Sequence, residues 1–119
     1  MVVDDNKEFR DAMRDLLESE PGFRVAGEAV SGKQAVDMYA RVSPDVVVMD
    51  IRMTELDGIE ATRQLRRADP QASVVLVTVG TSQDIPDAAR ECGAAAVLGK
   101  PEIRSSNLFP LLRRVHRHR

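Results

Sequence analysis

The sequence predicts an α/β fold, in which a doubly wound, five-stranded parallel sheet is covered by helices on both faces. Short apolar runs alternate five times with segments whose apolar residues have helical spacing. The central apolar runs are uniformly hydrophobic and β-branched, as is typical of parallel strands buried on both faces. The length of 119 residues suggests a single domain that can form its own core.

The first half of the chain contains three predicted strands and two predicted helices. The apolar run 1–3 predicts a short strand, and helical spacing over 9–17 predicts a helix that ends at a Glu-Pro-Gly sequence. Partial alternation predicts a strand over 23–29. Apolar spacing over 31–42 predicts a second helix, which Ser-Pro-Asp terminates. The run 46–49 predicts a fully buried strand.

The second half continues the alternation. Residues 58–68 predict a helix that ends at Asp-Pro, because the residue before a proline disfavours helical geometry. The run 73–79 predicts another buried strand. Residues 84–92 predict a short helix closed by a glycine, and 95–98 predict a weak fifth strand. The tail 105–119 predicts a last helix, whose regular part is expected to be limited by its internal proline.

The composition favours an ordinary soluble globular domain. Apolar residues make up 43%, charged residues 30%, and the net charge is −2, which does not favour nucleic acid or a membrane surface as a partner. The single cysteine, Cys92, cannot form an internal disulfide, and this fits a reducing compartment. No apolar run approaches the roughly 20 residues that span a bilayer, and no signal peptide is visible, so we expect a cytoplasmic protein without membrane contact.

Charged and polar residues follow most of the predicted strands. In open parallel sheets, ligands bind beyond the carboxyl ends of the strands, so residues at these ends are expected to lie along one edge. The residues concerned are Asp4, Asp5, Asp50, Thr78 and Lys100.

Three carboxylates at one edge repel one another. Two unit charges ~5 Å apart repel by roughly 3 kcal/mol at an effective dielectric constant of 20. Either one carboxyl group holds a proton or a cation joins the cluster. Mg²⁺ suits a few carboxylate oxygens together with water and a phosphate oxygen. A carboxylate beside Mg²⁺, with an ammonium and a hydroxyl group nearby, can accept a phosphoryl group.

These motifs, taken in order, resemble those of the response-regulator receiver domains of two-component signalling. Paired acids, a central aspartate, an Asp-Gly seven residues later, a threonine and a Lys-Pro occur at the family's spacings over essentially the whole chain. The stretch VAGEAVSGKQAV further resembles the NarL/FixJ (LuxR-type) branch. The resemblance implies the flavodoxin-like receiver fold with strand order 2-1-3-4-5, and residues 1–119 as one receiver domain.

The resemblance also implies roles for the acidic residues. Asp50 would be the phosphoacceptor and a ligand of Mg²⁺. Asp5 would bind Mg²⁺ directly, whereas Asp4 would act on the ion through water. The backbone carbonyl of Arg52 would supply a further ligand.

Three more residues receive roles from the resemblance. Thr78 would be the switch hydroxyl that turns toward the phosphoryl group. Lys100 would pair with that group, and Pro101 would follow it in a cis peptide bond.

The family also implies partners. The phosphodonor would be a sensor histidine kinase, with small acyl phosphates as substitutes. The signal would be reported through the fourth and fifth helices and the strand between them, often by homodimerisation. Output would be transcriptional, through a DNA-binding domain outside these 119 residues. We expect no metabolic enzyme, and at most self-phosphorylation and self-dephosphorylation.

Four features depart from the family pattern. The first strand is short, and Val97 stands three residues before Lys100, where the family has Tyr or Phe. Val79 is larger than the usual Ala or Gly and is expected to crowd the path of a phosphodonor. Thr54 replaces a common proline in the turn after the central aspartate. The short first strand, Val79 and Val97 favour an alternative function, a pseudo-receiver that binds a partner without being phosphorylated.

Simpler explanations exist for several residues. Asp5 and Glu8 have the spacing of a capping box at the start of the first helix, and this role can coexist with metal binding. Three further residues are expected to have no chemical role: His116 and His118 as solvated side chains, and Cys92 as a packed one.

Overall fold

Five parallel strands form one sheet in the computed structural model, which describes residues 1–53, 55–81 and 85–116. The strands are β1 (Val2–Val3), β2 (Glu28–Ala29), β3 (Val47–Asp50), β4 (Val74–Thr78) and β5 (Ala96–Gly99). Their order is β2-β1-β3-β4-β5, and every neighbouring pair is parallel. The predicted doubly wound α/β architecture is therefore confirmed.

Among the described residues, four helices connect successive strands, and a 3₁₀ turn and a fifth helix follow β5. The helices are α1 (Lys7–Glu18), α2 (Gly32–Val42), α3 (Gly58–Ala68), α4 (Asp87–Glu91) and α5 (Ser105–His116). The 3₁₀ turn, Lys100–Glu102, follows β5 directly. Across the described ranges, each helix is too short or too polar to cross a membrane.

The sheet separates two apolar layers. Alternate side chains of β3 point to opposite faces, so Val47 and Met49 pack with α2 and α3, whereas Val48 packs with α1 and α5. All three side chains are at least 96% buried. A strand enclosed on both faces must be apolar throughout, which explains the uniform runs in the sequence. The packed layers hold the carboxyl ends of the strands in a fixed register.

The predicted strand over 23–29 is wrong in its length. Only Glu28 and Ala29 form a strand, and they pair with Val2 and Val3. The reason is the shortness of β1, which confirms another expectation from the sequence. Since β1 offers two residues, its bonding to this segment begins only at Gly27, whose carbonyl accepts from the N–H of Val2, although Val25 still packs against the core.

The helices begin and end close to the predicted positions, with two corrections. α4 begins at Asp87, after Pro86, and Asp84 lies outside the described residues. α5 continues through Pro110, although the proline was expected to limit it. The backbone bond that Pro110 removes is offset by burial of the apolar residues around it: Leu108, Phe109, Leu111, Leu112 and Val115.

Asn6, and not Asp5, caps the first helix. The Asn6 side chain accepts a hydrogen bond from the backbone N–H of Phe9 at 3.1 Å. The predicted capping box of Asp5 and Glu8 is therefore wrong, because α1 begins one residue later than that motif requires. Asp5 is left available for another role.

Gly58 fixes the start of α3 against the end of β3. Its backbone N–H donates to the carbonyl oxygen of Ile51 at 2.8 Å. A Cβ atom built at Gly58 would overlap the carbonyl oxygen of Asp50. The preceding residue, Asp57, caps the helix by accepting from the N–H of Glu60. Only glycine therefore allows this approach beside Asp50.

We predict that Gly58→Ala destabilises the domain by about 3 kcal/mol, because backbone atoms must move apart. Gly22→Ala is the matched control. Gly22 has a φ of +91° but no atom within 4 Å of a built Cβ. Gly22→Ala should therefore lower the free energy of unfolding by only about 1–2 kcal/mol. Chemical denaturation measures both values. A loss at Gly58 no larger than at Gly22 would contradict the close approach.

Candidate functional site

Three carboxylates converge at the carboxyl edge of the sheet. Asp4 follows β1 and is fully buried, Asp50 ends β3 and is 5% exposed, and Asp5 is exposed. One carboxylate oxygen from each residue lies within 4.8 Å of the other two. The convergence predicted from the strand ends is confirmed.

The loop between β1 and α1 is held by hydrogen bonds that start at Asp4. Its Oδ1 accepts from the backbone N–H of Asn6 at 2.8 Å, and its backbone carbonyl accepts from Nη1 of Arg10 at 2.7 Å. Arg10 Nε also lies 3.6 Å from Oε1 of Glu28. Arg10 was not among the residues predicted for the site, although its place in the first turns of α1 allows it to reach back to this loop.

Lys100 is brought into the same cluster from the end of β5. Its Nζ lies 2.9 Å from Oδ2 of Asp4 and 3.8 Å from Oδ2 of Asp50. The Lys100 side chain is 19% exposed, and its Nζ also lies 4.1 Å from the centre of the Phe9 ring. The ammonium group therefore supplies the nearest positive charge to the two buried carboxylates, within the described part of the chain.

Two buried carboxylate oxygens have unused capacity to accept. Among the described residues, Oδ1 of Asp50 and Oδ2 of Asp4 receive no aligned hydrogen bond. Lys100 is close enough to Asp4 for an ion pair, but it does not donate a directed hydrogen bond to that oxygen. A buried oxygen without any donor, as Oδ1 of Asp50 is, is costly. Hard oxygen donors with this unmet demand fit a small divalent cation such as Mg²⁺.

Burial changes the acidity of Asp50. Removal from water raises the pKa of its carboxyl group to about 6, and the negative charges of Asp4 and Asp5 act in the same direction. The Lys100 ammonium and the backbone N–H of Arg52 partly oppose this rise in the pKa. Asp50 is therefore mostly ionised, and able to act as a nucleophile, only above about pH 6.

Thr78 lies one step further along the same edge. It ends β4, is 9% exposed and pairs in register with Gly99, the residue before Lys100. The residue before it, Val77, pairs with Asp50. The hydroxyl-bearing residue therefore stands between the strand ends that carry Asp50 and Lys100.

Arg52 lies two residues past Asp50, where the resemblance implies a backbone carbonyl ligand. Its side chain is exposed, and its backbone N–H is directed at the Asp50 carboxylate. The role of its carbonyl oxygen stays a prediction. Thr54, in the same loop, lies outside the described residues.

Lys100 begins a tight turn that Glu102 holds together. Oε1 of Glu102 accepts from the N–H of Gly99 at 3.2 Å, and the Lys100 carbonyl accepts from the N–H of Ile103 at 3.3 Å. The expected cis bond before Pro101 is wrong, since the described residues contain no cis peptide bond. The trans bond, the lower-energy isomer of an X–Pro bond, is compatible with this 3₁₀ turn. A Cβ atom at Gly99 would overlap the carbonyl oxygen of Gly80.

The residues that depart from the family pattern flank this edge. Val79, directly after Thr78, is 61% exposed. Val97 is half-buried and packs against the core layer that contains α2 and α3.

His116 is exposed, as expected, and His118 lies outside the described residues. Cys92 is buried and its thiol donates to the Ala89 carbonyl, which confirms a packed side chain.

Comparisons with known proteins agree on one family. The family model for the response regulator receiver domain matches residues 1–112. Protein CcdB of Bacillus subtilis is 43% identical over 101 residues, which are 85% of this chain and 83% of that protein. Chemotaxis protein CheY of Thermotoga maritima is 35% identical over 101 residues, which are again 85% of this chain and 83% of that protein. The crystal structure of a LuxR-family two-component response regulator from an Aurantimonas species has a TM-score of 0.89 and 32% identity, covering 100% of this chain and 84% of that one.

Because the pKa of Asp50 is raised, we predict that Asp50→Asn increases the free energy of unfolding in metal-free buffer, by an amount that depends on pH. Because the folded-state pKa of about 6 exceeds the usual 3.8, the stability linked to this group is complete below about pH 4 and is lost as pH rises through 6. Asn imitates the neutral carboxyl. The free energy of unfolding of the variant should therefore exceed that of the wild type by about 1–3 kcal/mol at pH 8 and equal it at pH 4.

Denaturation curves in a chelating buffer at several pH values measure this difference. Asp15→Asn is the control, because Asp15 is on the exposed side of α1, with 78% of its side chain accessible, and its removal should give no such pH dependence. A constant difference between Asp50→Asn and the wild type across this range would contradict the raised pKa.

Proposed function

The chain belongs to the response-regulator receiver family, and we propose that it accepts a phosphoryl group on Asp50 with Mg²⁺ bound by the neighbouring acids. As a receiver domain, it is a module of two-component signalling. The observation that carries the proposal is the convergence of Asp4, Asp5 and Asp50 within 4.8 Å, with Lys100 beside them. No other described group of three His, Cys, Asp or Glu side chains converges in this way.

The resemblance to the receiver family assigns the metal ligands, and oxygen donors suit Mg²⁺. Asp5 and Asp50 would hold Mg²⁺ directly, with the backbone carbonyl of Arg52, and Asp4 would act through a bound water. The convergence of the three carboxylates, and the Oδ1 atom of Asp50 that has no hydrogen-bond partner, support a cation at this cluster. When bound, the ion offsets the repulsion among the carboxylates and neutralises charge on the phosphoryl oxygens.

Phosphoryl transfer needs Asp50 in its ionised form. A carboxylate oxygen of Asp50 attacks the phosphorus of the donor, and a new P–O bond forms. The P–N bond to the histidine of the sensor kinase breaks, and its electron pair stays on the imidazole nitrogen. The product is an acyl phosphate on Asp50. With a small acyl phosphate as donor, a P–O bond breaks instead.

Lys100 and Thr78 would contact the transferred group. Lys100, which lies 3.8 Å from Asp50 and is paired with Asp4, would exchange that pairing for a phosphoryl oxygen. Thr78 would donate its hydroxyl to another oxygen. These contacts would exist only after transfer, so they give the phosphorylated state a different structure at the ends of β4 and β5.

We extend the proposal to the output. The surface of α4, β5 and α5 would report the state, through a homodimer or another protein. Similarity to a LuxR-family regulator supports transcriptional control through a DNA-binding domain outside these 119 residues. The setting would be the cytoplasm, where the sensor kinase presents its phosphohistidine. A coding sequence that continues past Arg119 into a helix-turn-helix domain would support this output.

A pseudo-receiver is the competing function. Val97 favours it, because no aromatic side chain at this position can move with Thr78. Val79 favours it as well, because an exposed branched side chain beside Thr78 narrows access to Asp50. Such a domain would bind a partner without being phosphorylated.

Intact-mass measurement separates these two functions. We predict that the wild type incubated with Mg²⁺ and acetyl phosphate gains one phosphoryl group, and that the gain is absent without Mg²⁺. Asp50→Ala should show no gain, and Asp57→Ala, which changes a nearby carboxylate at the start of α3, should keep it. Absence of any gain in the wild type would support the pseudo-receiver. A gain that persists in Asp50→Ala would move the acceptor to another residue.

We also predict that Mg²⁺ alone stabilises the domain. At a concentration ten times its dissociation constant, the gain is about 1.4 kcal/mol, because only the folded state assembles the ligands. Asp5→Asn should lose most of this gain. Asp37→Asn should keep it, because Asp37 pairs with Lys33 on α2, away from the cluster.

Thermal unfolding over a series of Mg²⁺ concentrations provides the measurement. Equal losses in Asp5→Asn and Asp37→Asn would rule out a specific site at the acidic cluster.

A further inference from the structure

The Lys100 ammonium lies against an aromatic ring as well as against carboxylates. Its Nζ is 4.1 Å from the centre of the Phe9 ring, well within the roughly 6 Å of a cation–π interaction. Phe9 stands in the first turn of α1, and Lys100 follows β5 at the other side of the site. The contact therefore joins two separate elements across the carboxylate cluster.

The placement of the ring follows from the same loop that carries the acids. Asp4 accepts from the N–H of Asn6, and the Asn6 side chain in turn accepts from the N–H of Phe9. The ring is half-buried and packs against the layer between the sheet and α5. Phe9 is therefore fixed relative to the carboxylates by its backbone and by its packing.

A ring holds an ammonium group differently from a carboxylate. The quadrupole of the ring attracts the charge but accepts no strong hydrogen bond, so the N–H groups stay available for an anion. Asp4, in contrast, competes directly with any oxygen that Lys100 is to contact. A lysine held only by Asp4 would be either paired there or free to extend into solvent.

We propose that Phe9 is a positioning residue, whose ring keeps the Lys100 ammonium beside the carboxylate cluster and within reach of Asp50. The role of Lys100 in phosphoryl transfer rests on the proposed function, but the hold of Phe9 on Lys100 does not. A purely structural Phe9 would fill space in the core and show no dependence on Lys100.

Nuclear magnetic resonance of the metal-free protein tests the contact directly. The chain has three lysines, Lys7, Lys33 and Lys100, so lysine labelled at Cε gives three signals, and Lys100→Met identifies one of them. The ring current of Phe9 should move the Lys100 Cε protons upfield in the wild type and in Phe9→Tyr. The shift should vanish in Phe9→Leu.

Phe23→Leu is the matched control, because Phe23 packs against Phe109 and lies near Arg113, away from Lys100. It should leave the Lys100 signal unchanged. An unshifted signal in the wild type, or an equal shift in Phe9→Leu, would overturn the proposal.

A double-mutant cycle measures the strength of the contact. The effect of the double variant on the unfolding equilibrium constant should differ from the combined effects of Phe9→Leu and Lys100→Met by about twofold to thirtyfold. This is the range of cation–π interactions. Additive effects would overturn the proposal, because they describe a phenylalanine that only fills space.

The rate of phosphorylation by acetyl phosphate tests the functional consequence. Phe9→Leu should slow it at saturating donor, Phe9→Tyr should restore it, and Phe23→Leu should not change it. A rate for Phe9→Leu equal to the wild type would overturn the positioning role. If the wild type itself gains no phosphoryl group, the proposed function fails, while the resonance shift and the cycle still decide the contact.

Discussion

Repulsion among three carboxylates at one edge of the sheet is the constraint that the rest of the structure accommodates. The register of β1, β3 and β4 brings Asp4 and Asp50 to the same level, and the loop after β1 adds Asp5. One ammonium group, from Lys100, offsets part of this charge. The remaining negative charge favours a cation at this edge.

Burial of the apolar core offsets the repulsion among the carboxylates. β3 and β4 are buried on both faces, and their apolar side chains stabilise the sheet that holds the acids in place. Asp50 contributes unfavourably once it is ionised, since its folded-state pKa is raised. The site therefore lowers the stability of the domain, as is common where residues are arranged for function.

Much of the site was predictable because parallel topology places strand ends side by side. Apolar runs marked the strands, and the residues after them were therefore expected together, as Asp4, Asp5, Asp50 and Lys100 are. The length of β2 was not predictable from its own alternation, because it depends on how far β1 extends beside it. The cap at Asn6 was missed because Asp5 matched a known motif.

The partners of the site side chains were harder to infer. Nothing in the spacing indicates that Arg10 donates to the Asp4 carbonyl or that the Phe9 ring faces Lys100. Such contacts depend on side-chain rotamers and on the pitch of α1 against the sheet, which sequence patterns do not encode. The isomer of the Lys100–Pro101 bond likewise depends on the turn that contains it.

Gly99, the last residue of β5, lies close to the carbonyl of Gly80 in the loop after β4. Gly80 stands two residues after Thr78, and Gly99 stands one residue before Lys100. Because the space between them does not hold even one added carbon atom, a displacement of either segment toward the other requires both to move. Under the proposed function, a change at the end of β4 would therefore reach the end of β5 through main-chain atoms, without needing an aromatic side chain at Val97.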